Sequence, residues 1–366
     1  MRLKRIEKFT SSVTKGLLST QQQTISQVVC GLVVCRCLIL AEIARCFQTS
    51  VEFPHNLKRV WRFVSNERIN DCSSKELVAR RLISQLHHRL QIKPKQYLQI
   101  IIDWTSVWPY QLLQALIPLD GRAVPVLSLA VHKSDLTCNQ NSLEQLFISS
   151  LRRCVDKQWR VVIVADRGFG RTELLRFIQQ QGFGFVIRVK GDAWIKRGRF
   201  RGKLKDYPLA VGQCFKLTDV IYHKTKQYPV KVVLNCARVK GKVSSWLLAT
   251  NLGVSAGQTV SIYRERFWCE ESFRDQKQEF ELERVRVEKA ARLENLLLAL
   301  AIVVMILAVI GQRGKKLGYA DKYSTRKKKQ EVISWMKIAL SLLRESTKYL
   351  NLLFENKDGC FYFRWA

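Results

Sequence analysis

The sequence predicts an α/β protein: a mixed sheet flanked by helices, preceded by a helical region and interrupted by a mostly β insertion. Three observations point there. Strand-like runs at 96–104, 110–117 and 123–132 are followed by helix, strand, helix and strand patterns up to residue 189. About a hundred residues then separate two acidic positions, Asp166 and Glu270, a gap longer than one connection needs. The first ninety or so residues carry helical periodicity instead. With 47% hydrophobic residues among 366, the chain can bury a sizeable core in two or three domains.

The expected helical region, 1–94, is built from QTISQVVCGLVVCRCLILAEIARCF, NLKRVWRFVSNERI and SSKELVARRLISQLHHRL, in which apolar faces alternate with Arg and Lys. A small bundle with a basic exterior follows, with Trp61 and Phe63 in its core and Cys35 and Cys37 as small buried hydrophobes. The core sheet is expected over 95–189 and 246–311. Asp120-Gly121 supplies a hairpin turn between the second and third strands. A helix over 142–157 opens with Ser142 and Gln145 as a capping box. The buried strand Val161 to Val164, a helix over 171–180 and the strand Phe183 to Val189 complete this half.

The insertion, 190–245, has strand-rich runs QCFKLTDVIYH and YPVKVVLNCARV, and VSSWLLATN leads back to the core with Lys240-Gly241 as the turn. At its leading edge, residues 188–205 interleave Trp194 and Phe200 with many Arg and Lys. Such a segment either follows a phosphate backbone while its aromatics stack on exposed bases, or is a disordered basic loop. The run LLLALAIVVMILAVIG, 296–311, is shorter than the ~20 residues of a membrane span and reads as a helix packed against the sheet. Residues 312–366 hold the basic RKKKQ, an amphipathic helix near 331–353 and an aromatic tail, CFYFRWA.

Charge and cysteine usage narrow the function classes. Lys and Arg number 62 against 30 Asp and Glu, a formal net charge of +32, which calls for a polyanionic partner. The excess is spread along the chain, unlike a single juxtamembrane patch. Eleven cysteines without a CxxC pair, and five scattered histidines, give neither a disulfide framework nor zinc spacing. The opening residues contain no apolar stretch of a secretory signal. A cytoplasmic, nucleoid-associated protein with reduced thiols and no membrane partner is the expectation.

Two aspartates stand at apolar strands: Asp103 after Ile100, Ile101 and Ile102, and Asp166 after Val161 to Val164. Each is read as ending its strand. A buried carboxylate is costly unless it is paired or coordinates a metal, although Asp before Gly is also turn chemistry. In YRERFWCEESFRDQK, Tyr263, Arg266, Glu270 and Lys277 fall within about 60° of one another on a helix turning about 100° per residue. The stripe sets a carboxylate between two cations, with a phenol at one end.

Asp103, Asp166 in ADRGF, and the ungapped Y-x2-R-x3-E-x6-K together resemble the DDE transposases of bacterial insertion sequences, most narrowly the IS-four type. The resemblance runs from about residue 30 to about 310. It implies an RNase H-like core with Asp103, Asp166 and Glu270 as catalytic ligands of two Mg²⁺ ions about 4 Å apart, Mn²⁺ being the substitute. It further implies that Tyr263, Arg266 and Lys277 hold DNA phosphates, and that Trp194 or Trp246 stacks on a displaced base at a hairpin end, with Trp194 the expected DNA contact. The implied partners are double-stranded DNA, at transposon ends and target, and a second copy of the chain in the synaptic complex. The implied reaction is hydrolysis at the ends followed by strand transfer. The rival readings are a catalytically silent DNA-binding protein descended from a transposase, a stand-alone RNase H-like nuclease, and a basic membrane-associated protein.

Overall fold

A computed structural model describes residues 3–93, 96–239, 242–323 and 333–353. The chain begins with helices α1 (Lys4–Thr14), α2 (Ser19–Cys35), α3 (Leu40–Arg45), α4 (Phe53–Val64), α5 (Glu67–Asn70) and α6 (Cys72–Arg89). Strands β1 (Leu98–Val107), β2 (Tyr110–Leu119) and β3 (Arg122–His132) follow, then α7 (Lys133–Cys154), β4 (Val161–Ala165), α8 (Thr172–Gln180) and β5 (Gly184–Arg188). The inserted region supplies β6 (Trp194–Arg197), β7 (Phe200–Lys203), β8 (Cys214–Tyr222), β9 (Tyr228–Val239) and β10 (Lys242–Thr250). Helices α9 (Ala256–Arg264), α10 (Trp268–Gln278), α11 (Ala290–Lys316), α12 (Tyr319–Tyr323) and α13 (Trp335–Glu345) complete the described elements. They fall into two compact units, one of residues 1–82, 119–130 and 272–366, the other of 83–118 and 131–271.

The first unit is organised by α11. Among the described residues it is the one helix long and apolar enough to cross a membrane, yet its apolar window is entirely buried inside the protein. Its neighbours in this unit include α13, α2 and α4, so it is the axis of a helical bundle, and it also meets the sheet as the sequence suggested, the Ala130 amide of β3 donating to Glu294 at 2.9 Å. Gly311 makes the closest approach: a Cβ there would lie 1.9 Å from the Trp335 carbonyl oxygen, so α13 can pack only against a glycine. The Asn295 amide donates to the carbonyls of Phe63, Val64 and Asn66, satisfying the open end of α4. On α4, Val60, Phe63 and Val64 form the buried stripe, while Trp61 is 40% exposed with the Arg292 guanidinium 5.6 Å over its ring. Trp61 is therefore not a core residue; it sits about 100° round the helix from Val60.

In the second unit, nine strands are hydrogen-bonded in the order β2-β1-β4-β5-β10-β9-β8-β6-β7. β1, β4 and β5 run parallel, and every other neighbouring pair in this series is antiparallel. β10 pairs with β5 on one side and β9 on the other, so the inserted strands extend the same sheet. The basic segment around Trp194 is a β6–β7 hairpin, not a loop. The Lys240-Gly241 turn, RKKKQ and the aromatic tail lie outside the described residues.

Two element boundaries differ from the sequence reading. α7 starts at Lys133, nine residues before Ser142, with His132 at the N-cap accepting from the Ser134 amide. The polar run KSDLTCNQNS reads as loop but holds no Gly or Pro to stop a helix, so Ser142 is interior and caps nothing. The C-terminal helix is Trp335–Glu345, followed by a 3-10 turn over Thr347–Leu353. The turn between β2 and β3 is as expected, Asp120 and Gly121 both having positive φ (45° and 81°).

Candidate active site

Asp103 does not end its strand. β1 continues to Val107 because β2 pairs with it through Val107, whereas the parallel ladder with β4 stops at Ile101↔Val164. The neighbour ends, and Asp103 lies just beyond that end. The register is a constant offset of 63 residues (161 − 98 and 164 − 101), which sets Asp103 level with Asp166. Asp166 keeps extended backbone (φ −78°, ψ −177°) before capping the 3-10 turn Arg167–Phe169, its Oδ1 accepting from the Gly168 amide at 2.8 Å. Level residues on adjacent parallel strands are about 4.8 Å apart in the backbone and share a face. The Asp103 carboxyl is held above the usual carboxylate range, chiefly by burial, with Arg266 opposing and the nearby Asp166 charge adding to the rise.

The Tyr263–Lys277 stripe is not one uniform helix. α9 ends at Arg264, residues Glu265–Phe267 form a 3-10 turn, and α10 starts at Trp268. Arg266 lies in the tight turn and is buried. One of its terminal nitrogens donates to Asp103 Oδ2 at 3.0 Å, and the other to Glu270 Oε1 at 2.7 Å. The Cys269 thiol donates to the same Asp103 oxygen at 3.2 Å. Burial alone would lower the Arg266 pKa, but Tyr263, Cys269, Asp103 and Glu270 around it raise it above the ordinary value. Burial, with Asp103 beside it, pushes the Cys269 thiol up, so it stays protonated as a donor.

An aromatic wall supports the guanidinium. Phe267 lies 4.7 Å beneath it and Tyr263 5.9 Å away, and Trp246 stacks on Phe267 and meets Tyr263 edge-on. Tyr263 is fully buried, which leaves it no surface for the phosphate contact expected of it; its ring positions Arg266. Of the two tryptophans considered for base stacking, Trp246 belongs to this cluster, and Trp194 lines a separate cleft beyond Gly168. Lys277, seven residues on from Glu270 along α10, falls in the first unit, where its ammonium pairs with Glu283 at 3.0 Å.

Glu144 and Cys269 belong to the site and carry no motif. Glu144 on α7 is fully buried and accepts from the Trp104 indole at 2.9 Å, Gln140 at 2.8 Å and Arg171. It thus ties the residue after Asp103 to the loop after Asp166. Burial raises its pKa, with the Trp104, Gln140 and Arg171 hydrogen bonds opposing. Its signal was an acid on the stripe of Phe147, Ile148 and Leu151, at i+3, i+4 and i+7.

The three carboxylates offer the hard oxygen donors that a divalent cation prefers, and Asp103 and Asp166 stand level. Among the described residues, however, no three Asp, Glu, His or Cys side chains form a group ready to hold a metal. Arg266 stands between Asp103 and Glu270 as their shared counter-charge. Two of the three expected ligands, Asp103 and Glu270, are thus paired internally in this conformation, while Asp166 accepts from the Gly168 amide.

No curated protein matches this chain. The sequence model of the transposase DDE domain matches residues 95–306, more than half of the 366, and spans Asp103, Asp166 and Glu270; the chain belongs to the DDE transposase family.

Proposed function

We propose that this transposase is of the IS-four type and moves an insertion sequence by cut-and-paste, hydrolysing DNA at the element's ends and joining the freed 3′ ends to target DNA. The observation that carries this reading is the meeting of Asp103 and Glu270 on the Arg266 guanidinium, with Asp166 level on the next strand. The order β2-β1-β4-β5, with β2 antiparallel and the rest parallel, supports an RNase H-like core.

Asp103, Asp166 and Glu270 would hold Mg²⁺, or Mn²⁺ in its place. Bound there, the ions would lower the pKa of the attacking water or 3′-hydroxyl and stabilise the leaving oxygen. Glu270, the most exposed of the Arg266 partners, with 54% of its side chain accessible, is the carboxylate freest to turn toward a ligand. Arg266 then offers an open guanidinium edge that suits a phosphate bidentately, and Lys277 adds a point charge once it leaves Glu283. Tyr263 and Trp246 hold the guanidinium plane, and Trp194 contacts DNA. The helical region 1–94 recognises the ends, two copies assemble on paired ends, and the work is done on the nucleoid in the cytoplasm.

The test is end binding and Mg²⁺-dependent nicking by Glu270→Gln. Binding should persist while nicking is lost; a variant that nicks as well as wild type overturns the site. A wild type that binds ends and never nicks leaves a catalytically silent DNA-binding protein, and one that nicks without end preference leaves a stand-alone nuclease.

A further inference from the structure

We propose that Arg266 is an autoinhibitory counter-cation: in the DNA-free protein its guanidinium closes Asp103 and Glu270 to a divalent cation, and a DNA phosphate is what draws it away. This rests on the reading of the protein as a metal-dependent DNA-cleaving enzyme and adds how its site is regulated. Cation and DNA then fill the site together, and neither half of the machinery is armed alone.

Both oxygens of Asp103 are already engaged. Oδ2 accepts from Arg266 at 3.0 Å and from the Cys269 thiol at 3.2 Å, while Oδ1 accepts from the Trp104 amide at 2.9 Å. Mg²⁺ keeps its ligand oxygens at about 2.0–2.1 Å, so a divalent cation on Oδ2 would face the guanidinium nitrogen across no more than about 5 Å. Like charges that close disfavour each other, and burial removes the water that would screen them. Arginine cannot relieve the clash by giving up its proton. The site opens only when the side chain moves.

The two grips of Arg266 differ in strength. Its bond to Asp103 joins side chains only 9% and 16% accessible, whereas the Glu270 side chain is mostly in water, which already competes for it. The outer contact is the one that exchanges. Arg266 Nε is buried and has no acceptor, so the closed arrangement leaves one donor of the guanidinium fork unserved. Glu270 answers a single nitrogen with a single oxygen, while a phosphate can answer two donors of the fork at once. A phosphate therefore displaces Glu270 from Arg266, and the freed carboxylate turns to its task as ligand.

The experiment counts Mn²⁺ bound to the full chain by electron paramagnetic resonance, first without DNA. Arg266→Gln removes the charge and should bind Mn²⁺ about tenfold more tightly than wild type, where a residue serving the fold alone would weaken binding when replaced. Arg266→Lys keeps a cation and should bind Mn²⁺ as weakly as wild type. Adding Asp103→Asn to Arg266→Gln should abolish the gain. A short duplex added to wild type should draw in Mn²⁺ beyond the sum for protein and duplex alone, and add nothing beyond that sum in Arg266→Gln. If Arg266→Gln does not fold unaided, Mn²⁺ should restore its melting transition. Equal affinity in wild type and Arg266→Gln, an equal gain in Arg266→Lys, no extra uptake with duplex, or an unfolded Arg266→Gln that Mn²⁺ fails to restore overturns the proposal. Nicking by wild type alongside such a result keeps the transposase reading, whereas the tenfold gain in a protein that never binds or nicks DNA keeps the counter-cation and ends that reading.

Discussion

The second unit carries two charged regions that treat their charges in opposite ways. At Asp103 the charges are buried and compensated: Arg266 serves two carboxylates, a thiol donates to the same Asp103 oxygen as Arg266, and the Trp104 amide donates to the other. Across the Asp166 turn, the exposed cations Arg167, Lys190 and Lys224 face solvent without an ion pair among the described residues. Buried charges must be compensated at once, because desolvation penalises each one left alone. Exposed charges can wait for an external partner at little cost. The first arrangement fixes geometry, and the second stores affinity for a polyanion.

The sharpest way to break this contrast is Arg266→Ala, which strands Asp103 in a buried site. Thermal or denaturant unfolding should show a loss of about 3–5 kcal/mol, and a loss below about 1 kcal/mol would mean that the cluster does not hold the fold together. Glu144→Gln keeps the shape and removes the charge that meets Arg171, so about 1–3 kcal/mol should go.

The same variant tests the sign of a pH effect. Burial raises the folded-state pKa of Glu144 above its ordinary value of 4.5, so the native state holds this proton more tightly than the unfolded one. Stability then falls as pH rises from about 4.5 through the folded pKa. The wild type minus Glu144→Gln difference should decline over that window, and a flat difference would show that burial is not penalising the carboxylate.

Smaller effects sharpen the comparison. Cys269→Ala removes the thiol donor from Asp103 and should cost about 1 kcal/mol, while Cys269→Ser should recover most of it. Equal losses in both would reassign Cys269 to packing alone. Lys277→Ala should change stability by less than about 1 kcal/mol, since its partner Glu283 is 61% exposed. It should nonetheless lower the salt slope of duplex binding by about 0.9; an unchanged slope removes Lys277 from the DNA contacts.

Much of the sheet was readable because its strands are short apolar runs bounded by Gly, Asp and Asn, and because two aspartates broke that apolar pattern. What escaped depends on tertiary partners. The 100° rule assumed α-helix through Arg266, yet the chain tightens there to wrap the guanidinium against Phe267 and Asp103. Glu144 looked like an ordinary helix acid, since nothing local reveals that Trp104 and Arg171 will meet it. α7 begins earlier than the sequence suggests because small polar residues favour turns only until a cap such as His132 commits them to a helix. Trp61 reads as a core residue, whereas its phase on α4 leaves it 40% exposed.

The double pairing of β10 has a bearing on how such proteins can be shortened. Removing residues 190–245 would strip β9, the antiparallel neighbour of Leu248, Ala249 and Thr250, and leave the remainder of β10 as an apolar edge with open amides and carbonyls. A trimmed catalytic core would then be expected to stick to itself, so a minimal nuclease cut from this protein needs to keep its β appendage or substitute another cover for that flank.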